Sequence, residues 1–350
     1  MNLEKYLIAE NASILEAIEK ININGSRFIF IINNKKEVIG LATDGDIRRA
    51  ILRKVSLNNN ITNAMNKDFF FLNSKEDKIY DPKNYISFIP IIDIRTKRLK
   101  DILFLDEQIH QTDYPDIPAL IMAGGFGKRL KPLTNDTPKP MLEIAGIPLL
   151  EITINYLKSL GINKILISTF HLPEKIVNYF GDGSAFNVEI IYLREDSPSG
   201  TAGCLGILPK DYNFESLLII NGDILTRINY PELIDFHRKN KNDLTIATNS
   251  YEHKVPYGVI KSKNGKLLGI EEKPTKDYEI SAGIYMINKP MIDKFIPKKA
   301  KMDMPDLISR ILENKKNIGA FPIHEYWLDI GRKNDFDKAQ SELKIYFEND

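Results

Sequence analysis

The stretch ALIMAGGFGKRLKPLTNDTPKP, residues 119–140, decides how this chain is read. ALIMA (119–123) is an apolar run of strand length, and three glycines follow within the next four positions. Glycine lacks a Cβ, so the backbone can approach an anion closely and turn its N–H groups inwards. Lys128, Arg129, Lys131 and Lys139 supply positive charge around them. Such a loop at the end of a strand predicts a phosphate cradle. It is not a Walker loop, since GxxxxGK[ST] is absent, nor a dinucleotide fingerprint, since GFGKRL lacks the third glycine. On the loop alone, a tight structural turn is an equal reading.

Downstream, apolar strand-like runs alternate with helical spacing. Strands are predicted at 119–123, 164–169, 188–193, 216–221, 243–248 and 282–287, and helices at 148–160, 173–180, 201–207, 231–240, 304–314 and 333–347. Pro148 early in the first helix and Gly161 after it match the usual asymmetry of helix ends. This alternation predicts an α/β fold, a Rossmann-like, mostly parallel sheet with helices on both faces, which binds ligands at the carboxyl ends of its strands. Residues 255–274, with the turn KNGK inside, read as an inserted hairpin reaching over the sheet edge.

Upstream the pattern changes. Ser13 with Glu16 forms a capping box, and Leu15, Ile18 and Ile21 follow at helical spacing until Asn24-Gly25. FIFII (28–32) and VIGLA (38–42) form a hairpin around NNKK, and Asp44 and Asp46 open a helix to about Lys54. About 60 residues on, FIPII (88–92), the turn RTKR and LKDILFLD (99–106) repeat the hairpin. Two domains are therefore expected, residues 1–113 and 117–350, with QTDYPDIP (111–118) between them. Because the repeats bring their own core, removal of 1–113 is expected to leave an active remainder.

Composition narrows the function. Lys plus Arg is 48 and Asp plus Glu 47, a net +1 that argues against a nucleic-acid binder relying on phosphate neutralisation. With 43% hydrophobic residues the chain is an ordinary globular one. A single cysteine, Cys204, excludes disulfide frameworks, thiolate zinc sites and CxxC chemistry, which points to the cytoplasm. Glu4, Lys5 and Glu10 interrupt any signal peptide, and no apolar run reaches the ~18 residues of a membrane span. Neither export nor a membrane is expected. The histidines at 110, 171, 237, 253 and 324 show no HxxxH spacing and read as incidental, and Trp327 as core packing.

The loop followed by PLTxxxPKP resembles the signature of the sugar-1-phosphate nucleotidyltransferases, the nucleoside-diphosphate-sugar pyrophosphorylases, whose fold is GT-A-like. SPSGTAG (197–203), NGD (221–223), YGVI (257–260), EEKP (271–274), SAGIY (281–285) and WLDIG (327–331) continue the likeness in family order. The resemblance implies that Arg129, Lys139, Asp223 and Lys273 are catalytic and that Ala123, Gly124, Gly125, Gly127, Lys128, Glu195, Gly200 and Thr201 bind the nucleotide. It places Tyr257, Gly258, Glu272 and Ser281 at the sugar phosphate, and Asp223 and Asp329 on Mg²⁺. Two departures are Lys128, where Thr is usual, and Ser281, where Asn is common. Without the likeness, Glu272 and Lys273 would read as a solvated hairpin pair.

Glu195, three residues before Pro198, stands where the family faces the nucleobase edge. A carboxylate only accepts hydrogen bonds; guanine offers two adjacent donors, whereas uracil and thymine offer one donor between acceptors. GTP is therefore the expected donor, with uridylyl or thymidylyl transfer as the alternative; a solvated strand end is the other reading of Glu195. A nucleotide-sensing adaptor without catalysis is the rival from another class, opposed by the joint presence of Arg129, Lys139, Asp223, Lys273 and Asp329.

The amino-terminal repeats resemble a pair of cystathionine-β-synthase (CBS) domains. GLATDGD (40–46) fits their pattern, which implies that Thr43 and Asp46 contact an adenine nucleotide. The second copy has Phe104, Leu105 and Glu107 at the matching places, so a packing module without ligand stays open, and a homo-oligomer is expected.

Overall fold

A computed structural model describes residues 2–74, 88–104, 114, 116–209, 211–298 and 301–347. Leu105, Glu107, His110 and half of the 111–118 segment lie outside them.

The chain begins with a short strand β1 (Leu7–Ala9), helix α1 (Ile14–Asn24), strands β2 (Phe28–Ile32) and β3 (Val38–Thr43), and helix α2 (Asp44–Leu52). The Ser13–Glu16 capping box is formed, and Gly25 ends α1 in the left-handed conformation at φ 67°. Sequence patterning missed β1, whose three residues are too few to show a period; it pairs parallel with β2. The second hairpin, β4 (Phe88–Ile92) and β5 (Leu99–Phe104), packs its FIPII against FIFII, with the rings of Phe28 and Phe88 stacked at 3.5 Å.

Seven strands form the main sheet: β6 (Ala119–Met122), β9 (Lys164–Thr169), β10 (Glu189–Arg194), β11 (Ser216–Asn221), β13 (Leu244–Lys254), β16 (Thr275–Asn288) and β17 (Ile318–Pro322). Their order is β10-β9-β6-β11-β16-β13-β17, and β16 alone runs against the rest. Helices α3 (Leu149–Ser159), α4 (Pro173–Phe180) and α6 (Tyr230–Lys239) bury one face through Ile154, Leu157, Ile176, Phe180, Leu233 and Ile234. The short helix α5 (Gly200–Gly203), with α7 (Lys289–Phe295) and α8 (Met304–Glu313), buries the other through Ala202, Phe295, Leu307 and Ile311. The fold is thus the expected mostly parallel sheet covered on both faces.

From β6 the chain goes to β9 and β10 on one side, then returns to β11 on the other. Strand order reverses beside β6, and a crevice at the carboxyl ends of β6 and β11 follows from that reversal. Two smaller pairs complete the fold: β7 (Glu143–Ile144) with β8 (Ile147–Pro148), and β12 (Ile224–Thr226) with β18 (Trp327–Asp329). The last helix, α9 (Lys333–Phe347), covers the β12–β18 ribbon through Ala339 and Leu343. The inserted hairpin is β14 (Val259–Lys263) and β15 (Lys266–Glu271), carried by the long β13 and β16.

Candidate active site

The glycine-rich loop leaves β6 and is tied at both ends. Ala123 N–H donates to Ser168 O on β9 at 2.9 Å, and Thr134 Oγ1 donates to Gly127 O at 2.9 Å. Gly127 has φ 59°, and a Cβ there would stand 2.8 Å from Thr134 Cγ2. At Gly124 a Cβ would stand 2.9 Å from Glu195 Oε1, so this glycine is what admits the Glu195 carboxylate. Gly125 faces open space, and Lys128 and Arg129 are exposed beyond it.

Asp223 follows β11, and Asp329 closes β18. The ribbon register sets Ile224 opposite Asp329, and Ile330 N–H donates to Asp223 O at 3.0 Å, so residues far apart in sequence become neighbours. Lys139 reaches both carboxylates, 2.5 Å from Asp223 Oδ2 and 3.8 Å from Asp329 Oδ1. Asp223 Oδ1 is buried without a partner. Burial, then the neighbouring Asp223 charge, raise the Asp329 pKa, while Lys139 and Arg129 oppose the rise. Two hard carboxylates, one with an orphaned oxygen, suit a divalent cation such as Mg²⁺.

A cavity of about 260 Å³ opens beside this pair, lined by Met122, Gly124, Gly125, Phe126, Ser168, Glu195, Pro198, Ser199, Gly200, Thr201, Cys204, Asn221 and Asp223. A larger one, about 640 Å³, lies at the amino ends of β6, β9, β10 and β11, among Asp116, Lys164, Glu189, Tyr212 and Arg238. None of the motif residues lines it, so the smaller cavity is the relevant one.

Within the smaller cavity Glu195 is held between two serines: Oε1 accepts from Ser168 Oγ, and Oε2 from Ser199 Oγ and, at 3.0 Å, from Ser199 N–H. Both lone pairs of Oε2 are engaged, and Oε1 keeps capacity for one more donor. The loop behind is clamped by a segment that sequence reasoning missed. Ala202 and Gly203 N–H donate to Met302 O at 2.9 and 3.0 Å, and Thr201 N–H to Asp303 Oδ1 at 3.0 Å. Gly200 has φ 80°, and a Cβ there would meet Met302 O at 2.5 Å. The available signal was Asp303 before Met304-Pro305, the start of a helix.

The predicted sugar-phosphate residues stand apart. Tyr257 is 74% exposed, Glu272 and Lys273 face each other at 4.0 Å in solvent, and Ser281 Oγ lies 2.9 Å from Tyr285 OH. In the amino-terminal part, Thr43 and Asp46 build a capping box for α2, with Arg49 at 2.6 Å from Asp46.

His324 departs from the expectation of incidental histidines. Its Nε2 lies 3.1 Å from Asp44 Oδ1 in a buried group that also holds Glu325. Asp44, His324 and Glu325 place ligand atoms within 4.8 Å of one another, but the cation already there is Arg48, 2.9 Å from Glu325 Oε1. Burial alone would raise the Glu325 pKa; Arg48, His324 and the Asn229 N–H outweigh it and hold it at about 2, against an ordinary 4.5. A depressed carboxylate contributes stability above its unfolded value and loses it as pH falls through the folded one. Wild type should therefore lose melting temperature relative to Glu325→Gln between about pH 4.5 and 2. Parallel melting curves for the two proteins across that window would exclude the assignment.

The nucleotidyl transferase family model matches residues 118–344, and the CBS domain model residues 3–53. Similar curated proteins include mannose-1-phosphate guanylyltransferase of Mycobacterium tuberculosis, 30% identical over 240 residues, 67% of this chain and 65% of that one. The chain thus spans somewhat under two thirds of that relative's length. D-glycero-alpha-D-manno-heptose 1-phosphate guanylyltransferase of Aneurinibacillus thermoaerophilus is 31% identical over 230 residues, 65% of this chain and 99% of that one. Among solved structures, HddC from Yersinia pseudotuberculosis complexed with GMP-PN aligns with a TM-score of 0.52 and 26% identity, over 65% of this chain and 99% of that one.

Proposed function

Because the chain belongs to the nucleotidyl transferase family, we propose that it transfers GMP from GTP to a sugar 1-phosphate and releases pyrophosphate. The observation that carries this reading is the meeting of the glycine-rich loop, Lys139, Asp223 and Asp329 beside a cavity that contains Glu195. A phosphate oxygen of the sugar 1-phosphate attacks the α-phosphorus of the nucleotide; the bond to the β-phosphate oxygen breaks, and pyrophosphate leaves with its electron pair. The nucleophile is already an anion, so the protein needs no base and acts by positioning and charge neutralisation. Loop N–H groups receive the triphosphate, Arg129 and Lys139 offset its charge, and Lys273 holds the sugar phosphate, with Glu272, Tyr257, Gly258 and Ser281 at the sugar. Asp223 and Asp329 would hold Mg²⁺, which when bound supplies further neutralisation of phosphate charge.

For the sugar, we favour glucosamine 1-phosphate, on the likeness of this domain combination to the glucosamine-1-phosphate guanylyltransferase of the legionaminic-acid pathway. Mannose and heptose 1-phosphates, the substrates named for the similar proteins, are the alternatives. Residues 1–113 would form a regulatory or oligomerisation module before a catalytic domain at 117–350, in the cytoplasm; among the described residues no helix is long and apolar enough to cross a membrane. An adenine nucleotide at the module would need the Thr43–Asp46 cap to open or share its donors.

A pyrophosphate-release screen of ATP, GTP, CTP, UTP and dTTP against a panel of sugar 1-phosphates tests the reading. GTP is expected to be preferred. Glu195→Gln should lower kcat/KM for GTP by about 10-fold to 100-fold, and less for UTP, since a bidentate contact discriminates by about 1–3 kcal/mol. That two-point contact requires Ser199 to release Oε2. Preference for UTP, dTTP or ATP with every sugar phosphate would overturn the choice of base.

A further inference from the structure

Where α2 meets the main sheet, two carboxylates flank one guanidinium, and a third carboxylate pairs with a histidine beside it. Arg48, 3% exposed, lies 2.9 Å from Glu325 Oε1 and 3.2 Å from Glu232 Oε2, donates to Pro322 O at 3.4 Å, and stacks 3.9 Å from the Phe321 ring centroid. Asp44, from the same helix, lies 3.1 Å from His324. Removing one partner from a buried ion pair leaves an uncompensated charge, so such a group fixes its neighbours strongly.

Those neighbours lead to the active site. Glu325 Oε1 also accepts from Asn229 N–H at 3.0 Å, just beyond β12, while Glu325 itself stands just before β18. One carboxylate thus ties together both strands at one end of the ribbon. Thr226 Oγ1 and Arg227 N–H donate to Tyr326 O at 2.8 and 2.9 Å and continue the link. The other end of the ribbon, about 13 Å away at ~3.3 Å per residue, carries Asp223 and Asp329, joined through Ile330 N–H.

We infer that Arg48 of the amino-terminal module and Glu325 are positioning residues for the metal-binding aspartates, so that the module's docking helps set the geometry of the catalytic pair through the β12–β18 ribbon. This rests on the reading of Asp223 and Asp329 given above. Arg48 touches no substrate; it acts through Glu325. Coupling along the ribbon is read as a response at its far end.

Full-length Arg48→Met, which keeps an apolar stem but removes the fork, is to be compared with wild type in two measurements. In hydrogen–deuterium exchange, the amides of Arg227, Asn229 and Ile330 should exchange about tenfold faster in the variant, with strand 164–169 unchanged. In pyrophosphate release, the Mg²⁺ concentration for half-maximal rate should rise about tenfold, with a smaller change in the KM for GTP, and Arg48→Lys should restore part of the loss. If Arg48→Met does not fold, Glu325→Gln takes its place in both measurements. A folded variant with unchanged Ile330 exchange, or with faster exchange but an unchanged Mg²⁺ requirement, overturns the proposal. Should wild type transfer no nucleotide at all, the reading of the reaction fails, and Mg²⁺ protection of the Ile330 amide replaces the rate: protection weakened in the variant upholds the coupling, and equal protection overturns it.

Discussion

Asp223→Asn is expected to lower kcat by about three orders of magnitude, some 4 kcal/mol of transition-state stabilisation, in a protein that stays folded. Asparagine keeps the shape but loses the charge of a hard-oxygen ligand. Folding should survive because the structural duties at this position belong to backbone. Asp223 O accepts from Ile330 N–H, and Gly222 N–H donates to Met122 O. The side chain is 29% exposed, so no deeply buried cavity is left behind. Treating wild type with EDTA should lower the rate comparably, and Asp329→Asn should follow the same direction. Steady-state kinetics with a melting curve decide the matter. Near-normal turnover by folded Asp223→Asn would sink the assigned role.

Lys139→Met is expected to act in two directions at once. Pyrophosphate release should fall about 10²-fold to 10³-fold, because a preorganised cation facing the triphosphate is removed. Affinity for Mn²⁺, used as a spectroscopic substitute for Mg²⁺, should not fall and is expected to rise. Lys139 lies within 3.8 Å of both Asp223 and Asp329, and so competes with a metal for their charge. The side chain is 9% exposed, and its stem packs beside Gly127 and Thr134, which methionine can continue to do. Electron paramagnetic resonance of free Mn²⁺ gives the affinity. Weaker Mn²⁺ binding in the folded variant would mean that Lys139 organises the aspartates rather than competing for them.

Much of this was legible in the sequence because it is local. The β6 run and its glycines, the Ser13–Glu16 box and the FIFII and FIPII pair each declare themselves within a few residues. Other features depend on partners far along the chain. β12 and β18 have three residues each, too few for a period, and become strands only by pairing with one another. Strand β17 and helix α7 were missed as well: IGAFP is short and broken by Gly319 and Pro322, and α7 has seven residues. The predicted helix at 201–207 is a four-residue α-helix followed by a 3₁₀ turn, because Gly200 to Gly203 are pinned by Met302. At the site, Asp223 and Asp329 were named from motifs, whereas Ser168, which holds Glu195 from β9, was not, since nothing local couples it to position 195. Arg48 carried no signal of its own within the helix that Asp44 and Asp46 open, since its partner lies 277 residues away.

The Arg48 cluster also changes where this chain can be cut and rejoined. By sequence, the natural seam for building a chimera is the segment near residue 114, and a swap there would appear to exchange whole units. Yet His324 and Glu325 on the retained side depend on Asp44 and Arg48 on the exchanged side. A graft whose helix lacks an acid and a base at those two places would inherit a carboxylate and an imidazole without their counterparts. Transplanting the amino-terminal module therefore means moving two short cassettes together, DGDIR (44–48) and HE (324–325), although Asp44 and His324 lie 280 residues apart. The unit of exchange is a docking code split across the chain, rather than a domain.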